Sequence, residues 1–207
     1  MTLMKAGFVV QDPTTQRYGL GRVVRDLSAH VIEDFDIVAA AVPVLTGLAG
    51  ALGVTSFLSV YRDGRAVCLE RLADIKGFEL HWWPKGGTLP LNCGGAPKLL
   101  LAYQPREEID RVLASPLAAL TPASIRDRRK LRARLKEIRD RGYEFAVDDV
   151  VEGLSALAVP VVDERGGIIC ALSIAGLTPH MLDPAGGPAY LRQLTAAAAA
   201  VNGVLRG

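Results

Sequence analysis

The chain is short of the features that assign a protein quickly. Of its 207 residues only three are cysteine (Cys68, Cys93, Cys170) and 6% are aromatic. Three widely spaced cysteines make no disulfide framework and no CxxC metal pair, which points to a reduced, cytoplasmic protein without a metal centre or cofactor. Excess charge is lacking too: 24 Lys+Arg stand against 22 Asp+Glu, so nothing general argues for binding to nucleic acid or an anionic membrane. No apolar run approaches the ~18–20 residues that span a bilayer. The opening MTLMKAGFVVQD lacks the pattern of a signal peptide. Enzyme signatures are missing as well: there is no P-loop, no GxSxG elbow, no HExxH, and no GxGxxG after a strand.

What is present is an ordinary globular composition, 50% apolar and 22% charged, enough for one domain of ~150–200 residues with an appendage. Residues 7–21 read as a β-hairpin, Phe8 to Val10 and Tyr18 to Leu20 flanking an Asp12-Pro13 turn. Residues 22–34 and a second stretch beginning at Asp36 show helical spacing of apolar positions, and Pro43 should kink the second helix or cost it a hydrogen bond. Beyond Gly53 the period changes. Strands are expected at residues 54–61 and 66–72, joined by Asp63-Gly64, and a third at residues 77–83. Helices follow over residues 93–103, 105–114 and 124–141. Strands at residues 143–147, 154–162 and 168–175 precede a closing helix from about Pro188 to Leu205. Consecutive hairpins with helices grouped around them give an α+β fold built on a mainly antiparallel sheet.

Candidate chemistry is sparse. Residues 121–141 carry nine Lys/Arg and three Asp/Glu, a basic helix that reads either as solvated surface or as a contact for DNA or an acidic partner. Of three scattered histidines (His30, His81, His180), only His81 could line a cavity. Cys93, before Gly94-Gly95, sits where a thiolate would be stabilised, yet no base is indicated near it. Asp148, Asp149 and Glu152 form an acidic loop, either acid–base groups or solvated surface. The segment LPLNCGGAPKLLLA is more telling. A helix starting at Gly94-Gly95-Ala96 exposes backbone N–H groups that suit a carboxylate, although the same glycines would also permit close helix–sheet packing.

In order along the chain, Tyr18-Gly19-Leu20-Gly21, Pro43 with Leu48-Ala49, Leu89-Pro90-Leu91 to Lys98-Leu99-Leu100-Leu101-Ala102, Arg141-Gly142-Tyr143, Glu152-Gly153 with Ala158-Val159-Pro160-Val161, and Ala171-Leu172-Ser173-Ile174-Ala175-Gly176 resemble the isocitrate lyase regulator (IclR) family of transcription factors. The resemblance implies a GAF-like effector-binding domain over residues 36–207, with about six strands flanked by helices. Residues 22–35 would be a linker helix. Residues 1–21 would be the wing hairpin, a remnant of a winged helix-turn-helix that is otherwise missing, so specific DNA binding would need that missing module. It further implies a homodimer or tetramer, no membrane partner, no catalysis, and a small-molecule effector. Carried over by position, the effector site comprises Cys93, Gly94, Gly95, Ala96, Tyr143, Asp148, Asp149, Ala156, Ser173 and Ala175. Trp82 and Trp83 join it, since strand alternation would turn one of them inward.

Departures from the family pattern shape the expected ligand. Pro97 replaces a glycine, Ala156 a cysteine and Ala175 a serine, which strips hydrogen-bonding groups and leaves Ser173 as polar anchor. An aromatic or otherwise hydrophobic acid is therefore expected over glyoxylate. Its seating should order residues 148–152 and 93–96 and so change subunit packing. A cofactor-free enzyme using Cys93 and the acidic loop, or a stand-alone sensor, are the competing readings.

Overall fold

The computed structural model describes residues 2–73 and 80–206, and the side chains of these outside residues 25–35. Two compact units divide the chain, residues 1–39 and 40–207. In the first, β1 (Val9–Gln11) and β2 (Tyr18–Leu20) pair antiparallel, Val9 opposite Leu20. Asp12 makes the turn: its Oδ1 accepts from the Thr14 and Thr15 N–H groups at 2.7 and 2.9 Å. Those donors favour the charged carboxylate and hold its pKa low.

The expected pair of helices around Asp36 is instead one, α1 (Arg22–Leu52). No glycine or proline separates the two periodic stretches, and an interior Asp costs a helix only ~0.7 kcal/mol. Pro43 lies inside it with its ring exposed. It takes away one hydrogen bond without ending the helix. Ala41, Leu45 and Ala49, spaced by four, are buried. The apolar pattern at Leu27, Val31 and Ile32, and His30, concern side chains outside those described.

The second unit is built on six strands: β3 (Thr55–Arg62), β4 (Arg65–Leu72), β5 (Thr88–Leu89), β6 (Glu144–Val147), β7 (Leu154–Val162) and β8 (Ile168–Leu177). They lie in the order β5-β4-β3-β8-β7-β6, every pair antiparallel. The expected α+β class and strand number hold. At the β3–β4 turn Arg62 faces Arg65, so Asp63 and Gly64 alone form the loop, both at positive φ. Such a two-residue loop matches strand twist and favours Asp-Gly.

Five helices complete the unit: α2 (Gly95–Ala102), α3 (Arg106–Ala114), α4 (Arg128–Arg141), α5 (Thr178–Met181) and α6 (Leu191–Arg206). Alternation along β7 and β8 sorts side chains by size. Ala156, Ala158, Ala171, Ser173 and Ala175 face α2, whereas Leu157, Val159, Leu172 and Ile174 turn to the other side and are buried there. Small residues on the first face let α2 lie close to the sheet, with α4 behind it. On α6, Leu194, Ala197, Ala198 and Val201 are buried, and the helix packs on β7 and β8.

Two sequence expectations fail here. Residues 80–83 are not a strand, and residues 77–79 lie outside the described ones; a tight turn follows at once, closed by the Gly87 N–H donating to the Pro84 carbonyl at 2.8 Å. The basic helix begins at Arg128 and not at Ser124, because Asp127 caps it, accepting from Lys130 N–H at 2.8 Å. Leu131, Leu135 and Ile138 face inward as their spacing predicts. Among the described residues, no helix is long and apolar enough to cross a membrane, and no His/Cys/Asp/Glu group could hold a metal ion.

Candidate functional site

The hollow lies where α2 starts against the sheet. Its walls are Phe57 from β3, Trp82, Trp83 and Leu89, the turn Gly94 to Pro97, and Ala156, Ser173 and Ala175 from β7 and β8. Gly95 meets the sheet so closely that a Cβ there would stand 3.0 Å from the Ala156 carbonyl oxygen. Both readings of the glycines therefore apply: they allow the close packing, and they bring the first turn of α2 to the wall of the hollow.

Aromatic rings close the opposite side. Trp82 and Trp83 stack with centroids 6.3 Å apart, and Phe57 sits 6.0 and 5.7 Å from them. Because residues 80–83 are not a strand, alternation does not choose between the tryptophans and both line the hollow. Trp83 is buried, and its indole N–H donates to the Gly87 carbonyl at 3.0 Å. The Trp82 Nε1 atom is buried with no hydrogen-bond partner among the described residues. The hollow itself is almost filled. Its volume is about 10 Å³, barely one water, too small as it stands for the aromatic or hydrophobic acid expected from the sequence.

Beside it, the two aspartates of the acidic loop are committed to structural bonds and not poised for acid–base work. Asp149 is buried; its Oδ1 accepts from the Gly94 N–H at 3.0 Å and its Oδ2 lies 2.6 Å from Lys98 Nζ. Lys98 also reaches Glu144 at 2.9 Å, and Glu144 takes Arg134 at 3.0 Å and Arg141 at 2.5 Å. Asp148 stands at positive φ and accepts from the Gly153 N–H and the Thr178 hydroxyl, both at 3.0 Å. The hydroxyls of Thr121 and Ser124 donate to the carbonyls of Asp148 and Asp149. Glu152 is exposed. Asp149 thus takes up one N–H at the start of α2 and Pro97 has none. Of its first N–H groups, those of Gly95 and Ala96 are left without a carbonyl within the helix.

Of the residues expected in the site, Trp82, Trp83, Gly94, Gly95, Ala96, Ala156, Ser173 and Ala175 come together. Four do not line it. Cys93 is buried, with its sulfur 4.0 Å from the Ala118 carbonyl oxygen, and burial pushes its thiol pKa up. A raised pKa is the opposite of an activated nucleophile. Tyr143 lies outside β6 under the Arg141 guanidinium, 4.4 Å from its ring centroid. Asp148 and Asp149 do not line the hollow: Asp149 holds the Gly94 N–H from behind the wall, and Asp148 bonds Gly153 and Thr178. His81 is exposed and is not among the residues that line the hollow; His180 tilts against Tyr190. Phe57 and Leu89 are lining residues that the sequence reading missed. Phe57 reads as one more core position, and only its register opposite Ser173 places it at the hollow.

A search against family models matches residues 29–202 to the bacterial transcriptional regulator IclR C-terminal family. The chain belongs to the IclR family. Among curated proteins it is 30% identical over 182 residues to the HTH-type transcriptional repressor AllR of Escherichia coli strain K12, covering 87% of this chain and 67% of that protein. Among solved structures it is similar to the IclR transcriptional regulator of Alicyclobacillus acidocaldarius, at 28% identity and TM-score 0.73, over 98% of this chain and 81% of that one. The fold is shared with an IclR homolog from Microbacterium hydrocarbonoxydans complexed with 4-hydroxybenzoate, at 22% identity and TM-score 0.73, over 99% and 82%. Within this IclR-family chain, the basic stretch over residues 121–141 is partly neutralised: Arg132, Arg134, Lys136 and Arg141 all form ion pairs.

Proposed function

We propose that residues 40–207 sense a small organic acid with an aromatic or hydrophobic body, seated in the hollow between the Phe57–Trp82–Trp83 rings and the start of α2. In this reading the Gly95 and Ala96 N–H groups and the Ser173 hydroxyl hold the carboxylate, and the aromatic rings cover the apolar body. The Trp82 indole N–H supplies a further donor. The buried indole N–H without a partner carries the proposal, because leaving such a group unpaired costs ~1–3 kcal/mol that a ligand acceptor would recover. A relative of the same fold complexed with 4-hydroxybenzoate supports an aromatic acid as ligand class.

A hollow of about 10 Å³ cannot take such a molecule unless its wall moves, since small-molecule pockets measure ~300–1,000 Å³. Trp82 and Trp83 are the movable wall, carried on a stretch that belongs to no strand. The Gly94 N–H to Asp149 bond joins the α2 turn to the residue 148–152 loop, so displacement of one is felt by the other. Binding that favours one arrangement of this assembly by ~1–3 kcal/mol is enough to regulate. Its output in a homodimer or tetramer is altered DNA binding. Residues 1–21 fit the wing hairpin of the DNA-binding module. The competing enzyme reading has little to stand on: burial holds Cys93 as the thiol, and Asp148 and Asp149 are committed to structural bonds.

A thermal-shift screen of benzoate, 4-hydroxybenzoate and phenylacetate against glyoxylate and pyruvate tests the proposal. Saturation at 100-fold the Kd adds ~2.7 kcal/mol. The aromatic acids should raise Tm, and much less so in Ser173→Ala. A rise with glyoxylate alone would overturn the ligand class.

A further inference from the structure

Outside the hollow, the proposed function leaves unused an open cleft of about 440 Å³. It runs between the β3–β4 turn, the stretch from Thr88 to Asn92, and the end of α3 with the loop up to Ala118. The far wall is a fixed structure. Asn92, buried, donates through Nδ2 to the Ala118 and Ile125 carbonyls at 2.8 and 3.0 Å and accepts from the Ala118 N–H at 3.2 Å.

Arg65 and Arg111 are both among its lining residues. Arg111 is held by Glu108 through Nε at 2.7 Å and Nη2 at 2.5 Å, which leaves its Nη1 uncommitted to that carboxylate. Its guanidinium lies so close over the turn that a Cβ on Gly64 would stand 2.3 Å from Nη2; glycine at that turn leaves room for it. Arg65 is exposed and forms no ion pair among the described residues. Apart from Glu108, which pairs Arg111 from outside the lining, no carboxylate among the described residues stands at the cleft, and Leu89, Val112 and Leu117 give its lining apolar surface.

We infer that this cleft is a second ligand site, for a small organic anion whose carboxylate meets Arg65 and Arg111 and whose apolar body lies against Leu89, Val112 and Leu117. The volume falls in the range of small-molecule pockets, and arginine suits a carboxylate because its planar fork can bond both oxygens. Leu89 lines the hollow as well as the cleft, so one residue forms a wall of both sites. The inference goes beyond the proposed function and does not depend on it.

The test is a benzoate titration of the whole chain, followed by amide chemical shifts. Saturable shifts at Gly64, Arg65, Ser115 and Leu117, weakened at least tenfold in Kd by Arg65→Ala and absent with neutral benzamide, support the site. Arg65 is exposed, so its replacement leaves the fold intact. Shifts confined to Gly95, Ala96 and Ser173 overturn it and leave the hollow's role standing. Shifts in the cleft alone support the cleft and count against the hollow. Equal shifts from benzamide, or none in the cleft up to 10 mM benzoate (a concentration well above that needed for even ~1 mM affinity), overturn the inference.

Discussion

Lys98 Nζ lies 2.6 Å from Asp149 Oδ2, with both side chains almost wholly buried and 51 residues apart in sequence. This pair ties α2 to the loop after β6, and Asp149 in turn holds the Gly94 N–H at the edge of the hollow. A buried charge left without its partner is far costlier than the pair itself is stabilising. Lys98→Met strands Asp149 and removes one cation from Glu144, so it should lower unfolding stability by ~3–5 kcal/mol. Urea denaturation with an unchanged m-value reads the loss directly. A change within 1 kcal/mol, which is the scale of an exposed pair, would mean that the pair is not the tie described.

Gly95 touches β7 with no space to spare. In Gly95→Ala the new methyl meets a backbone carbonyl, which cannot rotate away as a flexible side chain can. Overpacking of this kind costs ~1–3 kcal/mol, and here it also pushes the first turn of α2 off the wall of the hollow. The expected result is a lower Tm together with loss of ligand response. A variant with raised Tm, as helix propensity alone would favour, would contradict the close approach.

Trp82→Phe separates the aromatic wall from its polar atom. The buried Nε1 has no partner to lose, so stability of the free protein should stay within ~1 kcal/mol of the parent or rise. Binding of an aromatic acid should weaken, since a donor to its carboxylate is gone. Calorimetry on both proteins checks this. An undiminished affinity would take Trp82 out of ligand recognition.

Burial pushes the Cys68 and Cys170 thiols and the Tyr61 hydroxyl each up to about 12. Groups whose folded pKa is raised contribute stability below their unfolded values, 9.0 for the thiols and 10.0 for the tyrosine, and lose it as pH climbs through the folded ones. Urea midpoints should therefore fall steadily from pH 9 towards 12. At the acid end, hydrogen bonds from Arg111 hold the Glu108 carboxyl down at about 2. Its contribution is present above the ordinary value of 4.5 and lost as pH drops towards 2. Cys68, Cys93 and Cys170, all buried, should react with a disulfide reagent at pH 8 only after urea is added. A fast-reacting thiol in the native protein would reopen the nucleophile reading of Cys93.

Local chemistry made much of this fold legible. Asp63-Gly64 announced its two-residue turn, and the spacing of Leu131, Leu135 and Ile138 gave the buried side of α4, whereas Ala156, Ser173 and Ala175 came to the site only through the family resemblance. The failures lie where tertiary bonds decide. Nothing near Asp149 in sequence reveals that its partner is Lys98, so a buried ion pair looked like an acidic surface loop. Cys93, one residue from the glycine turn, points away from the hollow because its own backbone N–H is bonded to the Pro90 carbonyl and its sulfur faces Ala118. Trp82 and Trp83 were placed by strand alternation, a rule that does not apply to residues 80–83, which are not in a strand. Phe57 was invisible as a lining residue, since a core aromatic and a pocket aromatic share one pattern.

Calorimetric titration of the chain with 4-hydroxybenzoate, on the parent and on Ser173→Ala, bears most directly on the account. It predicts saturable heat on the parent, at least a tenfold weaker Kd in the variant, and the acid recovered chemically unchanged after the titration. Affinity unaffected by the Ser173 change, no saturable heat at millimolar acid, or conversion of the acid to product would each contradict it.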